Sequence, residues 1–388
     1  MTKPALSKST FIKGLQCEKA LYLYKNNYNL RDETSPQLQA IFNQGTNIGI
    51  LAQELFPNGI DASPSSYLKM QESVSKTFEF IENCEQIIYE ATFQYNSVIA
   101  ALDILVKDTE GWKAYEVKSS TSVSDTYIYD AAIQYYTILN SGIDLKDISI
   151  VHINNQYVKN GAINVNELFT IESVYNCVQD VLPIIPNKIE SFKELIKLNT
   201  VPNIDIGTHC DNPYACDFKG HCWKHIPPYS IFDIAGLTTS KKFDLYSEGI
   251  ITFNQLNLDT APFNGNQKMQ VTSELEGKTF IDQANIKHFI NNLNYPIYHL
   301  DFETMGPAVP IYNNSKPYQQ IVFQYSLHIE QKNGNIIHKE FLTEANPNVD
   351  PRDAFVEQLI KDCGTSGDIL VYNLGFEKGK LNDLIVLY

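Results

Sequence analysis

The alternation of apolar and polar residues predicts two α/β regions joined by a helical segment. Helical spacing of apolar residues is followed by runs rich in β-branched and aromatic residues, and then by helical spacing again. In chain order the first region is predicted to contain helices at 9–24 and 35–55, strands at 85–96, 97–108 and 111–120, a helix at 124–141 and a strand at 147–154. The order is therefore helix, three strands, helix, strand.

The second half of the chain continues with helices and then returns to strands. Residues 167–198 are predicted to be helical with breaks near Pro183 and Pro186, and 229–294 to be a small helical connector. The last region is predicted to contain strands at 295–304, 319–329, 335–342 and 368–373 and a helix at 351–363. We therefore expect three parts, at 1–228, 229–294 and 295–388.

Composition and charge narrow the possible classes of protein. The 388 residues are 43% hydrophobic and 12% aromatic, which excludes a wholly disordered chain. The net charge of −15 opposes broad binding to phosphate backbones, and because Arg31 and Arg352 are the only arginines, phosphate contacts would depend on lysines and backbone amides. No apolar run reaches the roughly 18–20 residues of a membrane-spanning helix. Since the N-terminal residues do not resemble a signal peptide, we expect a cytoplasmic protein without a membrane partner.

The first group of chemically reactive residues lies in the three-strand region. Asp103 interrupts an apolar strand, where a carboxylate is costly to bury without a partner or a metal ion. In the next strand, alternation puts Glu116 and Lys118 on one face and Val117 on the other. Two carboxylates suit Mg²⁺ or Mn²⁺, and a lysine can stabilise charge on a phosphate. The alternative is an exposed Glu/Lys pair on a surface hairpin.

This arrangement resembles the PD-(D/E)XK nucleases, and its helical context is similar to the RecB-like members. The resemblance implies a restriction-endonuclease-like α/β fold in which Asp103 and Glu116 bind a metal ion and Lys118 is catalytic. It also implies a metal ligand in the carbonyl of Val117 and a helix-borne glutamine facing the site, here Gln134.

Two further positions follow from the same resemblance. Glu90, on the preceding strand, is a candidate extra carboxylate ligand. Many RecB-like nucleases carry a metal-binding histidine after a glycine of an early helix. Here the residues after Gly45 include Asn47, Ile48 and Gly49, and the histidine is absent.

Four cysteines form the second group. Cys210, Cys216 and Cys222 follow a C-x5-C-x5-C spacing among Pro, Gly and Asp, and Cys17 lies far away in the first helix. Since a cytoplasmic chain seldom holds structural disulfides, four such thiolates suit an iron–sulfur cluster or zinc, with nearby histidines as possible substitute ligands. Unpaired core cysteines are the alternative. The layout resembles the iron–sulfur subset of RecB-like nucleases, which includes AddB and CRISPR-associated nucleases, and this implies a structural 4Fe–4S cluster.

The third group lies in the last region. Asp301 and Glu303 share one face of a predicted strand, and Asn373 and Phe376 precede Glu377 farther on. These residues resemble the first two motifs of the DEDD exonucleases, which have an RNase H-like fold, although Glu377 stands where an Asp is usual. The third motif of those enzymes does not occur by Tyr388, so an incomplete module is expected. Two exposed acids at a strand end are the alternative.

The combined pattern predicts a metal-dependent deoxyribonuclease with a 4Fe–4S cluster and Mg²⁺ or Mn²⁺. It resembles an uncharacterised bacterial family with these two modules, which implies DNA repair, recombination or defence against foreign DNA. Single strands or free ends are the expected substrate, because exposed aromatic residues stack on unpaired bases. The connector is either a spacer or a helix-hairpin-helix-like element around Glu248-Gly249-Ile250. Two alternatives are a non-catalytic nucleic-acid-binding or scaffold protein, and cleavage at Asp301 and Glu303. Protein partners are left open.

Overall fold

The protein has an α/β fold with two mixed β-sheets. The computed structural model describes residues 4–346 and 348–385. The chain divides into two compact units: the first takes in the chain up to His152 and Thr170–Phe280, and the second takes in Ile153–Phe169 and the chain from Ile281. In the described part of the chain, no helix combines the length and the apolar character needed to cross a membrane.

The helices and strands follow each other in this order. The first are β1 (Leu6–Ser7), α1 (Lys8–Gln16), α2 (Glu18–Asn26), α3 (Pro36–Ala52), β2 (Ile60–Asp61), α4 (Met70–Glu82), β3 (Ile87–Tyr95), β4 (Val98–Lys107), β5 (Trp112–Lys118), α5 (Asp125–Asn140), β6 (Leu145–Ile153), α6 (Val165–Leu168) and β7 (Phe169–Ser173). The rest are α7 (Tyr175–Val181), α8 (Ile185–Leu195), α9 (Lys219–Cys222), α10 (Thr239–Ser247), α11 (Gly265–Glu276), α12 (Gln283–Asn291), β8 (Ile297–Met305), β9 (Ile321–Glu330), β10 (Ile336–Leu342), α13 (Pro351–Asp362), β11 (Asp368–Leu370) and α14 (Leu374–Ile385).

The first sheet has the order β2-β3-β4-β5-β6-β7, and β1 pairs with β4 in parallel. Strands β3, β4 and β5 are antiparallel, whereas β5 and β6 are parallel and connected through α5. The β4–β5 register pairs Ile104 with Tyr115, so Asp103 and Glu116 lie one step beyond that pair. The hairpin therefore brings these two carboxylates to the same place in the sheet.

Apolar residues of the strands and of helices α1, α2, α5, α7 and α8 form the core behind this sheet. Phe93, Leu102 and Ile148 are fully or almost fully buried, together with Phe11 of α1 and Ile133 of α5. Each such side chain stabilises the fold by about 1.5–3 kcal/mol relative to an exposed position. This burial fixes α1 and α5 against the strands that carry the candidate site.

The connector forms a small apolar cluster of its own. Ile231, Phe253 and Val271 are buried there, and α10 and α11 supply the longer helices. The helical character predicted for 229–294 therefore agrees with the structure. Gly249 has a φ of 81°, which a glycine adopts without strain, and it ends the turn after α10.

The second sheet has the order β10-β9-β8-β11, with β11 parallel to β8. One face of this sheet packs Tyr298, Leu300 and Phe302 against Phe355 of α13. Asp301 and Glu303, which flank Phe302 on β8, are exposed on the opposite face. The predicted strand alternation therefore agrees with the structure here.

Two sequence expectations about the elements are wrong. The predicted single helix at 9–24 is broken at Cys17, whose φ of −160° and ψ of 116° are extended. After the break, α2 is buried on two sides: Leu21 packs into the main core, and Ala20, Tyr22 and Leu23 pack in the cluster around Phe218. The helix expected to begin at 167 is interrupted by β7, because its Thr170 and Ile171 favour a strand at the edge of the sheet.

Candidate functional site

A polar cleft of about 770 Å³ opens in the first unit between α3 and the strands β3, β4 and β5. The residues that line it include Gly45, Thr46, Gly49, Ile50, Gln53, Asp61, Ser63, Glu90, Asp103, Glu116, Val117, Lys118, Ser119, Tyr127 and Tyr214. We call it the carboxylate cleft, because Asp61, Glu90, Asp103 and Glu116 all contribute to it. Gly45 and Gly49 leave open space where side chains would stand.

Glu116 lies at the centre of the interactions in the carboxylate cleft. It is 2% exposed, and its Oε1 accepts from Lys8 Nζ at 2.5 Å and from Lys118 Nζ at 2.8 Å. Its Oε2 accepts from Gln134 Nε2 at 2.5 Å. Burial disfavours the charged form of the Glu116 carboxylate. The positive charges of Lys118 and Lys8 have the larger effect and lower the pKa of Glu116 to about 2. Glu116 is therefore an ionised buried carboxylate.

Lys118 is held between two acidic side chains. Its Nζ lies 2.5 Å from Asp130 Oδ2, in addition to its bond with Glu116, and it stands 5.1 Å from the centre of the Tyr127 ring. Burial would lower the pKa of Lys118, but Glu116 and Asp130 raise it well above its usual value. The side chain is thus a fixed cation directed at the carboxylates.

Asp103 and Glu90 are two further carboxyl groups of the carboxylate cleft. The backbone N–H of Val117 donates to Asp103 Oδ2 at 2.6 Å, which joins β4 to β5 at the site. Burial and the charge of Glu116 raise the pKa of Asp103 to about 8. Burial, Glu116 and Asp61 raise that of Glu90 to about 6. Carboxylates that resist ionisation in this way are stabilised by an added cation.

Gln134 is completely buried and uses both of its amide hydrogens. Its Nε2 donates to Glu116 Oε2 and, at 2.8 Å, to the carbonyl of Ala101. Its Oε1 is buried without a hydrogen-bond partner in the described structure. Gln134 therefore orients the Glu116 carboxylate. Of the neighbouring tyrosines on α5, Tyr135 packs against Tyr175 and Tyr136 packs against Tyr95.

Five residues at this site were not predicted from the sequence: Lys8, Asp61, Tyr127, Asp130 and Tyr214. Tyr127, Asp130 and Gln134 follow an i, i+3, i+7 spacing on α5, so a polar stripe on an otherwise apolar helix would have found two of them. Lys8, Asp61 and Tyr214 come from distant parts of the chain, and local spacing contains no signal for them.

The four predicted cysteines are gathered at a second place in the first unit. Cys17, Cys216 and Cys222 pack around Phe218, and the backbone N–H of Cys216 donates to Cys210 O at 2.8 Å. Burial raises the pKa of Cys17 and Cys222, and that of Cys216 to about 11, and the nearby Cys210 raises each of them further. All four are free thiols.

Polar contacts join the cysteine segment to the first helices. Lys13 Nζ lies 2.8 Å and Arg31 Nε 3.2 Å from Asp217 Oδ2. The Gln16 side chain donates to the carbonyls of His209 and Tyr214, at 2.8 and 2.7 Å. The segment that holds three cysteines therefore closes back onto α1 and onto Arg31, which follows α2.

The predicted acids of the second unit differ in their burial. Asp301 and Glu303 lie on the exposed sheet face, whereas Glu377 is 5% exposed and its Oε2 has no hydrogen-bond partner among the described residues. Phe376 stands 6.2 Å from Phe302, ring centre to ring centre, so the start of α14 packs beside β8. The two motifs therefore touch through Phe302 and Phe376, on the sheet face opposite to Asp301 and Glu303.

Within residues 4–346 and 348–385, no set of three or more His, Cys, Asp and Glu side chains is arranged to hold a metal ion. The side chains at the two sites nevertheless have the donor atoms that suit the two cofactors predicted from the sequence, a divalent cation and a 4Fe–4S cluster. The carboxylate cleft offers the oxygen ligands that Mg²⁺ and Mn²⁺ prefer, with two carboxyl groups whose ionisation is suppressed. The cysteine site offers four thiols, the ligand set of a 4Fe–4S cluster.

Comparison with known proteins places a family model over part of the second unit. A model described as a domain of unknown function, DUF2779, matches residues 298–388, the segment that contains Asp301, Glu303 and Glu377. No curated protein matches the chain.

Proposed function

We propose that the protein is a metal-dependent deoxyribonuclease that cleaves DNA at the carboxylate cleft. One observation carries the proposal: Asp103, Glu116, Lys118 and Gln134, from β4, β5 and α5, meet around one buried carboxylate. This is the group of residues that the nuclease resemblance selects. The order of β3, β4, β5, α5 and β6 also follows the predicted three strands, helix and strand, and the predicted helix at 35–55 corresponds to α3; α4, between α3 and β3, was not predicted.

The side chains have separable roles in this proposal. Asp103 and Glu116 would hold Mg²⁺ or Mn²⁺, with the Val117 carbonyl and Glu90 as further oxygen ligands. Such an ion polarises a phosphodiester and lowers the pKa of a bound water. Gln134 keeps Glu116 in one orientation. Lys118, held as a cation by Asp130, stabilises the negative charge that develops on the phosphate and does not accept the proton.

The lining of the carboxylate cleft supports single-stranded DNA or DNA ends as the substrate. Tyr127 and Tyr214 both line it, and Tyr214 is 53% exposed. An exposed aromatic ring beside the reacting groups can stack on an unpaired base, which a paired base inside a duplex does not allow. Enzymes of this type serve DNA repair, recombination or defence against foreign DNA.

The cysteine site is proposed to hold a structural 4Fe–4S cluster. Its support is the meeting of Cys17 with Cys210, Cys216 and Cys222 through the contacts that close the segment onto α1. Tyr214 lies between two of these cysteines and also lines the carboxylate cleft. The cluster would therefore hold a substrate-binding residue in place as well as the fold.

The test is cleavage of a fluorescently labelled single-stranded oligodeoxynucleotide in Mg²⁺ by protein purified without oxygen. Lys118→Ala and Asp103→Asn are expected to abolish cleavage, and Asp301→Ala is expected to leave it unchanged. Full activity of Lys118→Ala would remove the proposal. Loss in Asp301→Ala alone would move the chemistry to the second unit, with the first unit only binding DNA.

One contact favours a second candidate, a non-catalytic nucleic-acid-binding or scaffold protein. Lys8 and Lys118 together occupy the Glu116 oxygen that a metal ion would use. In this case the wild-type protein binds the oligonucleotide without cleaving it at any Mg²⁺ or Mn²⁺ concentration.

A further inference from the structure

Lys8 is brought to the candidate site by the first residues of the chain that the structure describes. Strand β1 pairs with β4 in parallel, with Leu6 opposite Val98, and Leu6 is 1% exposed. Ser7 caps α1: its Oγ accepts from the backbone N–H of Thr10, and Thr10 Oγ1 accepts from that of Ser7 at 2.7 Å. Lys8 is the first residue of α1, and the start of this helix is held by the pairing of β1 with β4 and by the Ser7 cap.

The ammonium of Lys8 has a different set of partners from that of Lys118. Lys118 bonds both Glu116 and Asp130, whereas Glu116 is the only carboxylate within ion-pair distance of Lys8 Nζ among the described residues. Both ammonium groups share one oxygen, Glu116 Oε1, and they repel each other there. Lys8 is therefore the less firmly bound of the two cations.

The side chain of Lys8 also has access to solvent. It is 23% exposed, compared with 3% for the Glu116 side chain. Lys8 is not one of the residues of the core that contains Leu6 and Phe11, and a lysine has a flexible four-carbon stem.

We propose that Lys8 is a resident counter-cation of this site, which occupies the Glu116 oxygen in the metal-free protein and competes with the divalent cation for it. The inference rests on the proposed function, since it assigns a role at the same site. In the metal-free protein the buried carboxylate keeps a positive partner, and metal binding requires the displacement of Lys8. Lys8 is therefore a positioning residue that sets the divalent-cation affinity of the site.

The test measures Mn²⁺ binding directly, by electron paramagnetic resonance of free Mn²⁺ in titrations of the full chain. Lys8→Met, which keeps the apolar stem, is expected to bind Mn²⁺ about tenfold more tightly or more, because the competing charge is gone. Lys8→Gln provides a second variant that keeps a hydrogen-bond donor, and the same direction is expected. Circular dichroism establishes which variants are folded.

Lys13→Met is the matched control. Lys13 lies on the same helix and carries the same charge, but its ammonium pairs with Asp217 outside the carboxylate cleft. Its Mn²⁺ affinity is expected to equal that of the wild type. The gain in Lys8→Met should vanish when Asp103→Asn is added, which assigns the bound ion to this site.

Equal or weaker Mn²⁺ binding by both Lys8 variants, relative to Lys13→Met, would overturn the inference, and so would the absence of binding in every protein. The proposed function fails in a different way, when Mn²⁺ binds at Asp103 and no oligonucleotide is cleaved. A gain of affinity in Lys8→Met with no cleavage therefore supports the role of Lys8 and removes the nuclease.

Discussion

Replacement of Gln134 by leucine tests how much of the candidate site depends on one orienting side chain. Leucine is close to glutamine in size and suits the buried position on α5. The change removes both amide hydrogen bonds, to Glu116 Oε2 at 2.5 Å and to the Ala101 carbonyl at 2.8 Å. It also removes Oε1, which is buried without a partner in the described structure.

These contributions have opposite signs. A hydrogen bond to a charged group contributes about 1.5–3 kcal/mol and one to a neutral carbonyl about 0.5–1.5 kcal/mol. Removing a buried unsatisfied oxygen returns about 1–3 kcal/mol. We therefore expect Gln134→Leu to lower the free energy of unfolding by only about 1–2 kcal/mol. Catalysis should suffer more, by roughly 10–100-fold, because Glu116 loses the group that fixes its orientation.

The assay combines urea unfolding, followed by the fluorescence of Trp112 and Trp223, with single-turnover cleavage of a labelled oligonucleotide. Gln267→Leu is the matched control, because Gln267 is a buried glutamine of α11 that donates to the Ala235 carbonyl in the connector. It should lose stability and keep its cleavage rate. Wild-type cleavage by Gln134→Leu, or equal rate losses in the two variants, would show that Gln134 does not orient Glu116 for cleavage.

Three further predictions concern other parts of the molecule. Tyr325 is fully buried and donates to Asp362 Oδ2 at 2.7 Å; burial and Asp362 raise its pKa. The stability that this contributes is complete below about pH 10, the pKa of an unfolded tyrosine, and is lost as the pH rises toward the folded value. In urea unfolding, Tyr325→Phe should lower the free energy of unfolding by about 1.5–3 kcal/mol at pH 8. It should also make the decrease of that free energy above pH 10 less steep, and parallel pH profiles for the variant and the wild type would contradict this. Tyr214→Ala should weaken single-stranded DNA binding by about 1–3 kcal/mol in fluorescence anisotropy and leave blunt duplex unaffected; equal weakening of both disagrees with stacking. Cys216→Ala should lose bound iron and the visible absorption of the cluster. Cys84→Ala, which changes an exposed cysteine, should keep both. Wild-type protein that contains no iron would contradict the proposed cluster.

Local pattern was enough to predict the elements that carry the central residues. Alternation put Glu116 and Lys118 on one face, and a short hairpin left little choice in the register that sets Asp103 beside Glu116. The position of Glu90 could not be predicted from local pattern alone. Its backbone has a φ of 55° in the middle of β3, and residue spacing does not encode such an irregularity.

The remaining part of the site depends on contacts between distant segments. The pairing of β1 with β4 positions Lys8 at the site, and the pairing of β2 with β3 positions Asp61 there. Each of these strands has only two residues, too few for a periodic signal. The break at Cys17 has the same origin, since the packing of α2 and of Phe218 around it prevails over the helical tendency of 9–24.

Anomalous X-ray scattering from crystals of the protein soaked in MnCl₂ would locate a divalent cation bound at the proposed active site. We expect a manganese peak in the carboxylate cleft, within roughly 2–2.5 Å of carboxylate oxygens of Asp103 and Glu116, as hard cations require. A peak beside Asp301 and Glu303 instead, or none at a Mn²⁺ concentration that supports cleavage in solution, would contradict this expectation.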